Sequence, residues 1–406
     1  MKIAIFTDTF YPQINGVVTS LTDLAKGMTD RGHKVFIVAP EDKGDYTEFQ
    51  YKDIEVLRLP AINASFYEGF KWSAIMHKPS FKKLKEEDID IVHFMTPITV
   101  SVFGILVAKL LKKPMIGTYH TFISELSYIR QFFPHAGPAT QKFAWQYSNA
   151  FYNRAHLITT PSDFTTNELI KNGCRQRVIT VSNGINLSCF DNSKKDEIKA
   201  KYNPNGHIVL YVGRVSIEKN MMILLESYKE VCKTDKTTKF LIVGNGPFFL
   251  ESKAFVKEAN LEDRIIFLGS IPNNELKVSG LFGASRLFVT ASKTENQPVT
   301  VLEAKANGIP CIGPDSMGMP GVIEDNYSGF IVPKDDSKAM AEVIIKILSD
   351  DSLYEQFSKN CLESVKTHEL GFILDEWEER YKHLIENPVR LKKHKSFKRA
   401  KASLKE

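Results

Sequence analysis

The sequence predicts an α/β protein built from two successive doubly wound halves facing each other across a central cleft. Three observations lead to that class. Apolar runs alternate with amphipathic stretches from end to end, as the strand–helix units of a parallel sheet do. The alternation breaks once, at a turn-rich and then polar stretch near the middle, and restarts. A chain of 406 residues, 43% apolar and 25% charged, is also long enough to bury two cores.

Lys2–Phe6 reads as a buried strand. Val17, Leu21, Leu24 and Met28 follow at helical spacing, Gly32 stops that helix, and Val35–Val38 opens the next strand. Ile54–Leu57, Ile89–Phe94, Pro114–Gly117, His156–Thr160 and Val178–Val181 continue the series. The turn residues Ser182-Asn183-Gly184-Ile185-Asn186 and the polar run Asp191–Asn205 then form the break. Beyond it, His207–Val212, Phe240–Val243, Ile265–Leu268, Leu287–Val289 and Cys311–Ile312 make a second sheet, with helices at Met222–Val231 and Leu250–Ala259. Helices at Ser337–Leu348, Ser352–Thr367 and Ile373–Glu386 close the globular part. The expected division is a Rossmann-like domain over residues 1–182, a linker over 183–206, a second Rossmann-like domain over 207–369, a helix over 370–387 able to cross back to the first domain, and a basic tail over 388–406.

Composition narrows the class. No run of eighteen uncharged apolar residues is present, and the amino end enters a strand without a leader, so a cytoplasmic protein is expected. Five scattered cysteines argue against a disulfide framework and against a zinc knuckle. Residues 388–406 carry eight Lys and Arg against Glu406, a net of +7, which leaves the rest of the chain at −2 of the total +5. Such a tail is either a tether to an anionic surface or a solvated terminus. Charge confined to one terminus, with no recognition fold, argues against a nucleic-acid partner.

Three segments can carry chemistry. The turn Asp8–Val17 sets Gly16 near the amino end of the first helix, either to let a ligand approach backbone N–H groups or to shape the turn; it lacks the G-x-G-x-x-G dinucleotide fingerprint. Gly213–Asn220 follows the first strand of the second half, so Arg214 and Lys219 stand at a strand's carboxyl end, as a diphosphate clamp or as a surface pair. In Glu295–Ala304, Pro298 suits a first helical turn, which leaves Glu295 on the loop before the helix and Glu303 inside it. The N–H groups of Val299 and Thr300 would then be free to hold a phosphate, while the two glutamates either address one ligand or are a cap and a solvated helix residue. His120 ends a strand within Tyr119-His120-Thr121, as a site residue or as a structural histidine.

Taken together, two glutamates separated by seven residues, with Pro12–Val17, Val92-His93, Gly117–Thr121, Asn183-Gly184-Ile185, Gly213-Arg214 with Lys219, Val243–Pro247 and Gly308-Ile309-Pro310, resemble the retaining nucleotide-sugar transferases of glycosyltransferase family 4 over nearly the whole chain. The resemblance implies a GT-B fold, with an acceptor-binding first domain and a donor-binding second one. It implies Arg214 and Lys219 on the donor's diphosphate, Glu303 on the ribose hydroxyls, Glu295 on the transferred sugar, Gly16 and Gly246 in the donor site, and His120 near the reaction centre. It also implies same-face attack, with the leaving phosphate oxygen taking the acceptor's proton. Two departures stand out. Gln297-Pro298 replaces the glycine or phenylalanine common after the first glutamate's neighbour, and Met317-Gly318-Met319-Pro320-Gly321 replaces a Gly-Gly-x-Pro-Glu run.

Gly16–Ser20 and Ser292–Glu295 most resemble the diacylglycerol glucosyltransferases, which implies UDP-glucose as donor and a membrane lipid such as 1,2-diacylglycerol as acceptor. No cofactor is expected to be tightly bound, and a divalent ion is expected to be at most stimulatory, because no Asp-x-Asp motif stands in a suitable loop. Arg130, Phe132, Phe133 and Trp145, with Lys82 and Lys83, are either core and solvated surface or a basic, aromatic face toward the inner leaflet of an anionic membrane. The other readings are an α-mannosyl- or glucosyltransferase for a cell-wall, capsular or phosphoinositol-type acceptor, and a non-catalytic nucleic-acid- or membrane-binding protein.

Overall fold

Parallel strands buried on both faces are apolar without interruption, and the strands form where those runs lie. The structure, a computed structural model, describes residues 1–13, 15–42, 49–63, 71–122, 124–130 and 135–387. In chain order the strands are β1 (Lys2–Phe6), β2 (Lys34–Pro40), β3 (Glu55–Leu59), β4 (Ala61–Asn63), β5 (Lys71–Ser73), β6 (Ile91–Phe94), β7 (Met115–Thr118), β8 (Leu157–Thr160), β9 (Val178–Thr180), β10 (Ile208–Val212), β11 (Lys239–Val243), β12 (Ile265–Gly269), β13 (Leu287–Val289), β14 (Cys311–Pro314) and β15 (Gly329–Val332). They assemble into one parallel sheet ordered β3-β2-β1-β6-β7-β8-β9 and a second ordered β12-β11-β10-β13-β14-β15. Both are α/β layers of the Rossmann type. Each reverses direction once, between β1 and β6 and between β10 and β13, and ligand crevices open beyond the carboxyl ends of the strands at such points.

Three features differ from the sequence reading. The second sheet does not end at Cys311–Pro314; β15 pairs with it from Cys311↔Gly329 to Pro314↔Val332. A short antiparallel hairpin, β4 with β5, follows β3 and pairs Ile62 with Trp72. The polar run after Asn186 contains a helix, Lys195–Tyr202, whose Ile198 and Tyr202 pack on the second domain's core, so this stretch is not merely connecting chain.

The chain crosses between domains twice, side by side. Ile185 N–H donates to His368 O at 2.8 Å and Leu370 N–H to Ile185 O at 2.9 Å, pairing the outgoing and returning strands of chain. The helix Leu370–Glu386 then lies on the first domain, with Ile373, Leu374, Trp377, Tyr381 and Leu384 in one cluster with Ile3, Ile5, Leu21, Leu24 and Met28. Burying each such side chain contributes roughly 1.5–3 kcal/mol. Its polar anchor is the buried His93 on β6, which meets Tyr381 Oη at 2.8 Å and Thr118 Oγ1 at 2.6 Å and packs against the Trp377 ring. Burial drives the His93 imidazole down to about 3, so it is neutral at pH 7.

Candidate active site

The second sheet's reversal point gathers the charged residues. β10 runs into Gly213–Asn220 and its neighbour β13 runs into Thr290–Pro298, so both loops leave the sheet side by side. Tyr211 Oη donates to the Arg214 carbonyl at 2.9 Å, and Val215 N–H donates to Asn245 O at 3.0 Å, which fixes the first loop. Gly246 makes that seating possible, because a Cβ there would lie 2.3 Å from Val215 O. Its glycine is thus required by loop packing, which composition alone did not reveal. Lys219 closes a short 3-10 turn, and its ammonium donates to Glu295 Oε1 from the second loop. Burial pushes the Glu295 carboxyl up, but the charge and hydrogen bond of Lys219 outweigh it and hold the group below the usual carboxylate range.

Four residues after Glu295, the helix Val299–Ala306 begins, with Pro298 in the capping position rather than inside the first turn. Val299 and Thr300 N–H find no acceptor among the described residues, as expected for a first turn. Glu303 is not a solvated helix residue. It is 1% exposed, accepts from Asn273 Nδ2 at 2.9 Å and lies 3.6 Å from Lys277 Nζ, all through Oε1. Its Oε2 is buried with no hydrogen-bond partner among the described residues. Burial raises its carboxyl pKa against the pull of Lys277. Asn273 and Lys277 were missed in the sequence because nothing marks them until the helix Asn273–Lys277 packs beside Glu303.

The first domain supplies the facing wall. His120 follows β7, its Nε2 is buried without a partner among the described residues, and burial lowers the imidazole to about 4, so the ring is neutral at pH 7. The His120 carbonyl accepts from Asn296 Nδ2, one residue beyond Glu295. This bond brings the loop after β7 of one domain against the loop after β13 of the other. Gly16 begins the helix Gly16–Asp30, and a Cβ added there would meet nothing within 4 Å. Its backbone φ is not positive, so turn shape does not demand glycine at this position. The expected free helix end is partly closed, however, because Asn15 Oδ1 accepts from both Val17 and Val18 N–H at 3.0 Å.

Among the described residues, Trp145, Lys82 and Lys83 of the basic and aromatic group do not come together. Trp145 is 8% exposed and stacks near Tyr119 and edge-on to Phe122, just past the carboxyl end of β7, so it belongs to the core. Lys83 sits at the opposite end of the sheet, bridging Glu55 at 3.3 Å and Glu87 at 3.1 Å, where Glu87 also holds Lys34, the first residue of β2. Lys82 pairs with Glu86 at 3.7 Å. Their charge is therefore largely compensated, and they do not adjoin Trp145. Arg130 is exposed and donates to Ala136 O at 3.1 Å; Phe132, Phe133 and the tail 388–406 lie outside the described residues. Phe143 and Tyr147, on the same helix as Trp145, do face outward, and a second exposed apolar group lies on the β4–β5 hairpin. Ile62 (71% exposed) and its cross-strand partner Trp72 (42%) stand on one face of the β4–β5 hairpin, with Ile75 and Met76 close behind and Lys78 next to them. The polar–apolar alternation of Lys71-Trp72-Ser73 was the available signal.

Among the described residues no cluster of three His, Cys, Asp or Glu could hold a metal ion, and no helix is long and apolar enough to cross a membrane.

This fold and this arrangement define a class, the two-domain GT-B glycosyltransferases. Residues 14–188 match the family described as Glycosyltransferase Family 4, and residues 193–363 match Glycosyl transferases group 1. The alpha-monoglucosyldiacylglycerol synthase of Streptococcus pneumoniae is 27% identical over 343 residues, covering 81% of this chain and 74% of that protein. The enzyme of the same name from Acholeplasma laidlawii is 26% identical over 397 residues, covering 95% and 98%. Anabaena HepE, solved with UDP and glucose, superposes with a TM-score of 0.76 at 18% identity, covering 95% of this chain and all of that one. The chain belongs to the family 4 glycosyltransferases.

Proposed function

We propose that the protein is a retaining hexosyltransferase that moves glucose from UDP-glucose to a membrane lipid of the 1,2-diacylglycerol type, giving an α-glycolipid. The observation that carries this reading is the meeting of Lys219 and Glu295 at the second sheet's reversal point, one residue from a hydrogen bond to His120 of the facing domain. Arg214, Lys219 and the Val299 and Thr300 N–H groups offer positive potential for a diphosphate. Glu303 Oε2, a buried acceptor with no donor among the described residues, suits a ribose hydroxyl. Glu295 addresses hydroxyls of the transferred sugar, and the open space beside Gly16 admits the diphosphate from the first domain's side.

In the step itself, the bond from the sugar's anomeric carbon to the diphosphate oxygen breaks and a bond to the acceptor hydroxyl oxygen forms on the same face. The acceptor's proton passes to the departing diphosphate. The protein's contribution is electrostatic: fixed cations and N–H groups aimed at charge that grows on the leaving group. A neutral His120 hydrogen-bonds near the anomeric centre without adding a cation beside an oxocarbenium-like carbon. The lipid acceptor is supported by the exposed Ile62–Trp72 pair with Ile75 and Met76, since Trp and aliphatic side chains beside Lys78 suit the headgroup boundary.

The test is transfer by the full chain from labelled UDP-glucose, and separately from GDP-mannose, to diacylglycerol in anionic vesicles, with the product's anomeric configuration read by NMR. An α-glucosyl lipid is expected. Transfer from GDP-mannose alone, or to a soluble sugar or inositol acceptor alone, would replace the donor or the acceptor in this reading.

A further inference from the structure

The two departures from the family pattern, Gln297-Pro298 and Met317–Gly321, together with Asn296 beside the first, lie where the second domain reaches into the first. Asn296 and Gln297 are both buried. The amide nitrogen of Asn296 faces the His120 and Tyr119 carbonyls, which can only accept, so its Oδ1 must take the Thr165 hydroxyl, at 2.7 Å. Gln297 spans the crossing of the chain: its Oε1 accepts from Asn183 N–H at 2.7 Å, and its Nε2 donates to Ser182 Oγ at 2.8 Å. Asn183 is held in turn by the Ser20 hydroxyl of the first helix at 2.9 Å. Met317, with φ of 48°, projects from the second domain onto the first domain's core cluster that contains Phe122 and Trp145. The next residue can only be glycine, because a Cβ on Gly318 would lie 1.7 Å from Asn296 O, and Gly318 N–H donates to Glu295 O at 3.0 Å. The two loops therefore brace each other as well as the facing domain.

We propose that Asn296 and Gln297 are positioning residues which, with Met317, latch the second domain onto the first and hold the His120 loop in register with Glu295. The inference deepens the reading above, because it takes Glu295 and His120 to be the groups whose separation matters. A glycine or phenylalanine at the Gln297 position would lose the bonds to the crossing.

Thr165 is the cleanest handle, since it lies 131 residues from Asn296 and is not among the groups assigned to donor or acceptor. Thr165→Val keeps the volume and removes the bond to Asn296; Thr165→Ser restores the hydroxyl. With the full chain, Thr165→Val and Asn296→Asp are expected to lower kcat about tenfold, as loss of one buried hydrogen bond would, while donor KM stays within about twofold. Thr165→Ser should return kcat to near the unsubstituted value, which a general packing defect would not allow. In parallel, small-angle X-ray scattering compares the unsubstituted protein with the Asn296→Ala/Gln297→Ala double variant, after circular dichroism shows that both are folded. A larger radius of gyration in the variant is expected. Unchanged scattering overturns the latch, and a loss confined to KM, or no rescue by Ser, overturns the positioning role. Should the unsubstituted protein transfer no sugar from any nucleotide donor, the functional reading fails, and the scattering comparison still decides whether the latch exists.

Discussion

Replacing Glu303 by Gln separates donor binding from folding. The carboxylate is buried, uses only Oε1 within the protein, and leaves Oε2 without a partner among the described residues. A ribose hydroxyl donating to a charged acceptor contributes about 1.5–3 kcal/mol, so the substitution weakens donor about 10- to 150-fold. Stability moves little, because the two folding effects oppose each other. The amide oxygen can still accept from Asn273 and a buried charge is removed, while Lys277 loses one ionic partner but keeps the Asp23 carboxylate near it, so it is not left uncompensated. The assay is a thermal shift with UDP. At a concentration one hundred times Kd, bound nucleotide adds about 2.7 kcal/mol; a thirtyfold weaker variant retains about 0.9 kcal/mol at the same concentration. The expected result is an unaltered melting temperature without ligand and a shift about one third as large with it. A Glu303→Gln protein that binds UDP as tightly as the unsubstituted one refutes the role given to Oε2.

Further outcomes follow from other contacts. Lys219→Met should lower kcat about 10²–10³-fold, the range seen when one stabilising donor is removed from a reaction centre. It should also shift the acid limb of the pH–rate profile upward, because Lys219 is what holds the Glu295 carboxyl low. The Lys219→Met/Glu295→Gln double variant should lose less than the two single losses combined, since the groups touch. His93 is held near pKa 3 in the fold against about 6.5 unfolded. Its stabilisation is therefore complete above about pH 6.5 and declines as the pH falls, by about 2 kcal/mol at pH 5. His93→Gln, measured by urea melts at pH 7 and pH 5, should show a correspondingly shallower loss; an identical slope would contradict the burial argument. Ile62→Ser/Trp72→Ser should reduce flotation with anionic vesicles and leave the UDP thermal shift unchanged, whereas Lys82→Ala should alter neither.

Most of both sheets was legible because strands covered by helices on two sides must be apolar throughout, as Ile3–Phe6 and Val209–Tyr211 are. β15 escaped because it is an edge strand that opens with Gly329 and follows turn residues, so its four residues do not stand out. In the helix Pro138–Tyr152, the buried residues are Trp145, Ser148, Phe151 and Tyr152, while Phe143 (68% exposed) and Tyr147 face outward. Spacing of three and four within that segment separates the two sets, whereas counting aromatics does not. Arg214, Lys219, Glu295 and Glu303 were visible because each follows a strand at a reversal of sheet order or sits on the helix that comes next. Asn273 and Lys277 were not, since they matter only once their helix packs beside Glu303, and Thr165 was not, since its partner Asn296 belongs to the other domain.

The order in which the chain is made gives the terminal helix a particular weight. Leu21, Leu24 and Met28 leave the ribosome long before Ile373, Leu374 and Trp377, the side chains that finally cover them. Through most of synthesis the amino-terminal half must carry a bare apolar stripe and a β6 histidine without its tyrosine. Stopping translation anywhere before residue 370 therefore leaves an unfinished first half rather than a free-standing module. Adding a peptide of residues 370–387 to such a fragment is the direct way to see that half completed.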